Sequence, residues 1–367
     1  MSDKLIFWGC ACSPRQADEI EFIECLVFFF DKNVYPLAIN LLDRHSRWFA
    51  TPVKVKPNPL APSLQPSKIQ HELRTTIIAS ARKTGLIRAK REAKMPELPE
   101  VETIRLALNT LVLGEKILSY RLLRDDFVRG GHEHASEVAH ARIIGTQRKG
   151  KLLAIHLSNQ IGLLHHFGMS GRMLLSRASD PLPLHTHVQM ILDSGLELRH
   201  TDPRRFGYAA LVPQTELPTF PAWKNMGPDA LYITPAQIRN ILAGRTRPVK
   251  ALLLDQYLIA GLGNIYVDEA LYRARIHPAT PCNQIPTQAT KKLVRAIHAV
   301  LRESIAAGGS STNDYQRLDG TLGEFQNKHG VYRRHGTPCR RCGHKIERWV
   351  IGGRGTHFCP LCQKGVN

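Results

Sequence analysis

Four cysteines near the C-terminus restrict what this chain can fold into more than any other feature. Cys339 and Cys342 form one C-x2-C pair, Cys359 and Cys362 form another, and 16 residues separate the two pairs. Four thiolates complete a tetrahedral shell around Zn²⁺, and each pair supplies two of them. We therefore predict one structural Zn²⁺ ion. We expect no catalytic role for it, because no open coordination position is evident.

A positive charge excess is the second constraint. The formal net charge of the 367 residues is +19, and residues 95–367 alone hold 35 basic against 22 acidic residues. The excess indicates a polyanionic partner, most simply nucleic acid, although a basic surface can also serve solubility alone. We find no signal peptide and no apolar run of the roughly 18 residues that a membrane span needs. We expect a cytoplasmic monomer without a membrane partner.

Residues 95–100, which read MPELPE, offer a reactive group if translation starts at Met95. Removal of the methionine leaves Pro96 with a free secondary amine, which can attack a sugar carbon and form an iminium ion. Glu97 lies beside it as a proton carrier. The same residues are also an ordinary helix start, with proline early and acids in the first turn. Because residues 1–94 would block the amine, we predict a wrongly assigned upstream start or a disordered extension there.

The hydrophobic pattern divides the remaining chain into three regions. A helical segment at 97–113 and eight short alternating stretches between Lys116 and Val212 are typical of a β-sandwich. A proline-rich linker is predicted at 213–226. Glycine and serine residues at 308–311 open a loop that we expect to be flexible as far as about Gly323. Four further helices are predicted, at 234–243, 248–258, 265–274 and 287–307.

These segments predict an α+β chain. Its domains are an N-terminal β-sandwich flanked by helices (95–222), a helical domain (223–329) and a C-terminal zinc-finger hairpin (330–367). Residues 1–94 resemble none of the three and carry no recognisable site.

Several turns carry groups that suit phosphate. Residues 148–151 read RKGK, residues 201–207 read TDPRRFG, and residues 352–357 read GGRGTH. The second turn suits phosphate contact plus an apolar wedge between bases, and Arg354 in the third can grip a phosphate in a two-pronged contact. Each of the first and third turns can equally be a solvated cationic hairpin. Residues 258–269 contain a glycine turn that opens a helix, so we also predict phosphate binding by its free N–H groups and by Asn264.

Taken in order along the chain, these motifs resemble those of bacterial formamidopyrimidine-DNA glycosylases. The motifs are MPELPE, the GMSG sequence at 168–171, TDPRRFG, the GLGNIY sequence at 261–266 and the four-cysteine module. The resemblance covers Met95 to about Lys364 and implies a helix-two-turn-helix arrangement in the helical domain. It implies a base-excision-repair glycosylase and abasic-site lyase that removes 8-oxoguanine and formamidopyrimidines from double-stranded DNA.

The resemblance also implies roles for individual residues. Pro96 would attack C1′ of the damaged nucleotide, Glu97 would carry the proton at the sugar, Lys151 would serve β-elimination and Arg354 would serve δ-elimination. The loop at 310–323 would cover the extruded base. The implied DNA contacts are His185, Arg204, Arg245, Lys250 and Asn264, and the side chains that would fill the gap left by the flipped nucleotide are Met169, Arg204 and Phe206.

Two other functions stay open at this point. An endonuclease VIII-like enzyme, which acts on oxidised pyrimidines, shares the Pro-Glu start and the zinc finger. That group usually lacks the leucine after Pro-Glu and lacks the Asp-Pro-Arg-Arg-Phe turn. A DNA-damage-binding protein without catalysis would result if the extension permanently masks Pro96.

Overall fold

The computed structural model describes residues 95–311 and 315–364, which belong to one compact unit spanning residues 90–367. The predicted extension at 1–94 lies outside the described residues. None of the helices in the described part of the chain combines the length and the apolar character that a bilayer crossing requires.

Eight strands appear where the alternating pattern predicts them. They are β1 Ile117–Leu122, β2 Ile143–Lys149, β3 Leu152–Leu157, β4 Ile161–His166, β5 Arg172–Arg177, β6 Thr186–Leu192, β7 Leu196–Thr201 and β8 Tyr208–Pro213. They form two antiparallel four-stranded sheets, ordered β1-β6-β7-β5 and β2-β3-β4-β8. Apolar side chains from both sheets, such as Ile155 and Met190, are fully buried in one shared core. This is the predicted β-sandwich.

The five predicted helices are present, one of them shorter than predicted, and two four-residue helices were not predicted. They are α1 Leu98–Leu111, α2 Ala135–Val138, α3 Pro221–Lys224, α4 Pro235–Leu242, α5 Val249–Leu253, α6 Asn264–Ala274 and α7 Thr287–Ala306. The helix predicted at 248–258 ends at Leu253. The chain turns there because the carbonyl of Asp255 accepts from Leu258 N and Ile259 N, at 3.0 and 2.9 Å. This shorter helix corrects the prediction.

The segment predicted as a linker, 213–226, is a packed element. Leu217 is 3% exposed and Trp223 is 7% exposed, and both join a cluster on the second sheet that includes Leu164 and Val212. A four-residue helix, α3, forms within the segment. The sheet therefore has apolar residues on both faces, and this segment covers the outer one. The prediction of a plain linker is wrong, because the apolar residues between the prolines pack on the sheet.

A two-stranded hairpin closes the described chain, with β9 at Glu347–Ile351 and β10 at Arg354–Phe358. The two cysteine pairs lie on either side of this hairpin. Helix α1 contacts both β2 and α7, so it joins the sandwich to the helical layer. The predicted α+β class, with sandwich, helical layer and zinc-finger hairpin, is confirmed. The exact domain bounds stay predictions.

Candidate active site and DNA interface

The carboxylate of Glu97 lies at the N-terminus of helix α6. Its Oε1 accepts a hydrogen bond from Ile265 N at 3.0 Å, and Tyr266 N lies 3.5 Å from Oε2. The residue is 4% exposed. A helix N-terminus presents free N–H groups and the positive end of the helix dipole, which both favour a negative charge. The protein therefore holds this carboxylate directly beside Pro96, which is itself buried.

The glycine turn before α6 surrounds the start of helix α1. Gly261 has φ +104°, and a Cβ there would lie 2.5 Å from Leu98 Cδ1. A Cβ on Gly263 would lie 2.3 Å from the carboxyl carbon of Glu97. The oxygen of Gly261 also accepts from Leu98 N at 3.1 Å. The prediction that the N–H groups of this turn bind phosphate is corrected, because Glu97 takes those of Ile265 and Tyr266.

A second carboxyl group, Glu100, connects three segments behind Glu97. Its Oε2 accepts from Glu97 N at 2.9 Å, and its Oε1 accepts from Ser310 N at 2.8 Å and from the hydroxyl of Tyr266. The hydroxyl of Ser304 lies 2.6 Å from that of Tyr266. Burial, followed by the charge of Glu97, raises the pKa of Glu100 to about 7. The group can therefore gain or lose a proton at neutral pH.

The basic turn at 148–151 points its cations inward. Arg148 is 2% exposed and donates from Nε to Glu102 at 2.7 Å and from Nη1 to Asp229 at 2.6 Å. Lys149 Nζ donates to the oxygen of Trp223 at 2.7 Å. The hypothesis of a solvated cationic hairpin is therefore excluded for Arg148. Its ion pairs fix the turn that carries Lys151.

Lys151 is 7% exposed and lies in the electric field of the other candidate catalytic groups. Burial lowers the pKa of its ammonium group, the charges of Glu97 and Glu100 oppose that effect, and Arg354 adds to it. Arg354 itself is exposed at the start of β10. The tertiary structure thus brings the start of α1, the β2–β3 turn and the zinc-finger hairpin into one region.

Three polar side chains tie the Arg354 hairpin to the helical layer. Asn264 Nδ2 donates to the oxygen of Gly355 at 2.9 Å, and Lys250 Nζ donates to the same oxygen at 3.0 Å. Lys250 Nζ also donates to Asp268 Oδ1 at 2.7 Å, and Asp268 Oδ2 accepts from His357 N at 2.8 Å. Lys250 and Asp268 are both 0% exposed. The prediction that Lys250 contacts DNA is corrected: its ammonium group lies inside the protein and holds the hairpin.

The TDPRRFG turn keeps its cation and its aromatic ring outside. Asp202 is fully buried; its Oδ2 accepts from Gly207 N at 2.7 Å, and its Oδ1 accepts from Arg204 N at 3.2 Å and from the hydroxyl of Ser170. Phe206 is 51% exposed, and Arg204 Cζ lies 4.9 Å from the centre of its ring. One internal carboxylate therefore holds a turn that presents an exposed guanidinium group and an exposed ring.

Two further predicted contact residues lie on neighbouring turns. A Cβ on Gly168 would lie 2.3 Å from Gly207 N, so the turn that carries half-buried Met169 packs backbone to backbone against the TDPRRFG turn. His185 is exposed with φ +64°, and its oxygen accepts from Asp202 N at 3.0 Å. The structure therefore brings Met169 and His185 next to the TDPRRFG turn.

Arg245 lies elsewhere, on the turn between α4 and α5. It is half-buried, and its guanidinium group donates to the oxygen of Ile241.

The loop at 310–323 is docked along most of its described length. Tyr315 is 7% exposed and Leu318 is 1% exposed, and both join the sandwich core. The oxygen of Leu318 accepts from Leu175 N at 2.8 Å, so the loop extends the edge of β5. Residues 312–314 lie outside the described residues. Tyr315 and Leu318 therefore attach this part of the loop to the sandwich, and the flexibility of the loop stays a prediction.

The four cysteines form the predicted metal centre. Their Sγ atoms all lie within 4.8 Å of one another, which suits four thiolates around one small ion. Tyr272 on α6 places its hydroxyl 3.3 Å from Cys339 Sγ. The donor set is that of a structural Zn²⁺ site, where the ion holds the two knuckles together.

Three protein-family models match the described unit. The Formamidopyrimidine-DNA glycosylase N-terminal domain matches residues 95–209, the corresponding H2TH domain matches residues 226–316, and the zinc finger found in FPG and IleRS matches residues 336–365. A Formamidopyrimidine-DNA glycosylase of Geobacillus kaustophilus is 41% identical over 279 residues, which are 74% of this chain and 100% of the relative. This chain belongs to the formamidopyrimidine-DNA glycosylase family.

Other members of the family agree in sequence and in structure. The Thermus thermophilus relative is 42% identical over 274 residues, covering 73% of this chain and 98% of that protein. A solved complex of Lactococcus lactis Fpg with DNA containing an abasic site is 36% identical, with a TM-score of 0.69, and covers 73% of this chain and 99% of that one. A MutM structure in complex with DNA containing carbocyclic 8-oxo-G has a TM-score of 0.68 at 36% identity, covering 73% of this chain and 100% of that one.

Sequence reasoning missed several residues that build this family site. They are Asp202, Asp268 and Glu100, none of which the motifs above single out. All three are buried carboxyl groups with several hydrogen bonds. The available signal was an acidic residue inside an apolar or glycine-rich stretch, where a charge needs buried partners.

Proposed function

We propose that this chain is a base-excision-repair enzyme that removes oxidised purines from double-stranded DNA and then cleaves the abasic site, acting as a monomer. The observation that carries the proposal is the placement of Glu97. The N-terminus of α6 fixes the carboxylate of Glu97, the residue that follows Pro96. The charges of Glu97 and Arg354 both influence the pKa of Lys151, so these groups lie in one region. Membership of the glycosylase family and the basic charge of residues 95–367 support the same function.

The chemistry requires that Pro96 be the first residue. Its neutral secondary amine forms a bond to C1′ of the damaged nucleotide, and the bond from C1′ to the base breaks with its electron pair leaving on the base. The proton that the nitrogen of Pro96 sheds after bond formation neutralises the departing base. Glu97 donates a proton to the sugar ring oxygen as the ring opens to an iminium ion. The Glu97 carboxylate, having given up its proton, takes one from C2′, and the electron pair of that C–H bond expels the 3′ phosphate. Loss of the C4′ proton to water then expels the 5′ phosphate in the δ-elimination. Lys151 and Arg354 stabilise the departing phosphates.

The base must leave the duplex before C1′ can meet an amine. Flipping costs a few kcal/mol, which contacts around the lesion must offset. We assign the filling of the vacated space to Met169, Arg204 and Phe206, because they lie on adjoining turns and Phe206 is half exposed. The loop at 310–323 is assigned to cover the flipped base, since Ser310 contacts Glu100 behind the reaction centre.

Phosphate contacts are assigned to exposed or partly exposed donors. His185 adjoins the Arg204 turn, and Arg245 adds a cation from the helical layer. An amide carries two N–H donors, so Asn264 can hold Gly355 with one and a phosphate with the other. The bound Zn²⁺ ion would fix the fold of the hairpin that carries Arg354.

Borohydride trapping tests the proposal. We expect the chain expressed from Met95 to form a covalent adduct with a duplex that contains 8-oxoguanine, and we expect Pro96→Gly to abolish most of it. Normal trapping by the Pro96→Gly variant would reject Pro96 as the nucleophile. The full 367-residue chain serves as the matched comparison, because it carries the same site with the nitrogen of Pro96 in a peptide bond.

The same experiment separates the two alternative functions. Lesion binding without any adduct from the Met95-start protein would support a damage-binding protein that performs no chemistry. A duplex with an oxidised pyrimidine tests the endonuclease VIII-like function, and we expect slower cleavage of that duplex than of the 8-oxoguanine duplex. Faster cleavage of the pyrimidine lesion would reverse the substrate assignment and leave the nucleophile unaffected.

A further inference from the structure

Helix α6 connects the reaction centre with the metal centre. Its first turn holds Glu97, and its last turn carries Tyr272, whose hydroxyl lies 3.3 Å from Cys339 Sγ. Tyr272 is 6% exposed and Cys339 is 3% exposed. A buried tyrosine hydroxyl needs a hydrogen-bond partner, and a phenol is protonated at neutral pH. A metal-bound thiolate has lone pairs and no proton, so the hydroxyl must be the donor and the sulfur the acceptor.

The ring of Tyr272 has close neighbours on two segments of the chain. Arg341 Cζ lies 4.6 Å from the ring centre, and Arg341 Nη1 donates to the main-chain carbonyl oxygen of Tyr272 at 3.3 Å. Gly330 lies against the ring, because a Cβ there would approach Tyr272 Cε1 to 2.6 Å. These contacts leave little room beside the ring, whose hydroxyl lies against Cys339.

Cys339 also accepts a hydrogen bond within its own knuckle, from Arg341 N at 3.4 Å. Cys359 accepts a comparable one from Cys362 N at 3.4 Å. These backbone contacts are local to each C-x2-C pair. The Tyr272 hydroxyl differs because it comes from a helix outside the zinc module and reaches one particular thiolate.

We propose that Tyr272 is a positioning residue for the Zn²⁺ site, which orients the Cys339 thiolate and slows loss of the ion. A donor to a thiolate stabilises its lone pairs and fixes the direction in which they point. Groups that orient metal ligands in this way change metal affinity by about 10–100-fold when they are removed. Tyr272 thereby anchors the module that carries Arg354 to the helix that holds Glu97.

The test compares Tyr272→Phe with Tyr257→Phe in the full-length zinc-loaded protein. Phenylalanine keeps the ring and removes only the hydroxyl. Tyr257 is 74% exposed, so its variant controls for loss of a hydroxyl elsewhere. With a colorimetric zinc chelator in excess, which both captures the released ion and reports it, we expect Tyr272→Phe to release Zn²⁺ about 10–100-fold faster and Tyr257→Phe to match the unchanged protein. Equal release rates for all three would overturn the proposal.

A spectroscopic measurement separates orientation of the thiolate from general loosening of the fold. When Co²⁺ replaces Zn²⁺, the sulfur-to-cobalt charge-transfer bands report the energy of the sulfur lone pairs. Loss of a hydrogen bond to one thiolate raises that energy, so we expect the bands of Tyr272→Phe to move to longer wavelength. Faster metal release with unchanged bands would mean that Tyr272 only packs against the module, and the proposal would fail.

Discussion

Two turns of this molecule look alike in sequence and do opposite things. The turn at 261–264 and the turn at 201–207 both combine glycine with polar groups, and both were predicted to meet phosphate. The first turns inward, and the N–H groups that follow it bind Glu97. The second carries its own buried carboxylate, Asp202, and leaves Arg204 and Phe206 outside. In these two turns, the source of the nearest internal carboxylate decides whether the polar groups face inward or outward.

The largest effect tests the inward turn. In the Met95-start protein, Glu97→Gln should lower the single-turnover cleavage rate by about 10²–10⁴-fold, the usual contribution of a general acid–base group. Glutamine can still accept from Ile265 N, so the turn should keep its shape and lesion binding should persist. Cleavage kinetics and a binding titration on the same 8-oxoguanine duplex measure both. Unchanged cleavage would show that the inward turn holds a structural carboxylate and no proton carrier.

The second prediction tests whether Lys250 belongs with the inward groups. Lys250→Met leaves Asp268 buried and without its cation, which should cost about 3–5 kcal/mol of unfolding free energy. Adding Asp268→Asn should recover part of that loss, because the buried charge is then gone. Urea denaturation measures both variants.

A DNA-binding measurement distinguishes the buried role of Lys250 from a contact with phosphate. If its ammonium group touched a phosphate, the variant would weaken binding to all sequences and reduce the slope of log Kd against log salt by about one. We expect that slope to stay unchanged.

The third prediction tests the outward turn. Asp202→Asn places an N–H donor where Gly207 N or Arg204 N needs an acceptor, so it should cost about 1–3 kcal/mol of unfolding free energy and weaken lesion binding. Asp180→Asn is the matched control, since Asp180 accepts from Arg177 N at 2.9 Å in an exposed turn of the same sheet. The control should stay within about 0.5 kcal/mol of the parent. Equal effects of the two variants would mean that burial of Asp202 is unimportant.

The smallest effect concerns the histidines beneath the outward turn. His165 and His200 are buried, their Nδ1 atoms lie 3.0 Å apart, and burial lowers the pKa of His165 to about 4. A histidine with a depressed folded-state pKa stabilises the fold above the unfolded value of about 6.5, and this contribution is lost as the pH falls toward 4. We expect the Tm to be several degrees lower at pH 5 than at pH 7.5, since each kcal/mol shifts Tm by roughly 2–4 °C.

A second titration runs in the opposite direction. The folded-state pKa of Glu100 is raised to about 7, so its protonated form favours the fold and that contribution fades as the pH rises from about 4.5 through 7. Glu100→Gln should remove this fading, which isolates the histidine effect in a melting series. A Tm of the Glu100→Gln variant that stays flat from pH 7.5 to pH 5 would contradict the role assigned to the histidine pair.

The alternating pattern located all eight strands, because the side-chain period of a strand depends only on neighbouring residues. Most helices were located for the same reason, and Thr234, the first residue of the predicted segment 234–243, is the N-cap of α4. The segment at 213–226 was misjudged because its apolar residues acquire meaning only when the outer face of a sheet needs covering. The contact of Leu318 with the edge of β5 was not predicted for a similar reason, since that edge is formed by a distant part of the chain.

The metal centre and most of the strand and helix pattern could be read from the amino-acid sequence alone, since each depends on spacing within a few residues or within one motif. Only the tertiary structure decided which cations face outward. Lys250 meets Asp268 across 18 residues and Arg148 meets Asp229 across 81 residues, so both guanidinium and ammonium groups lie inside. Burying a charge is tolerable only when an opposite charge arrives with it, and which carboxylate arrives is a property of the fold.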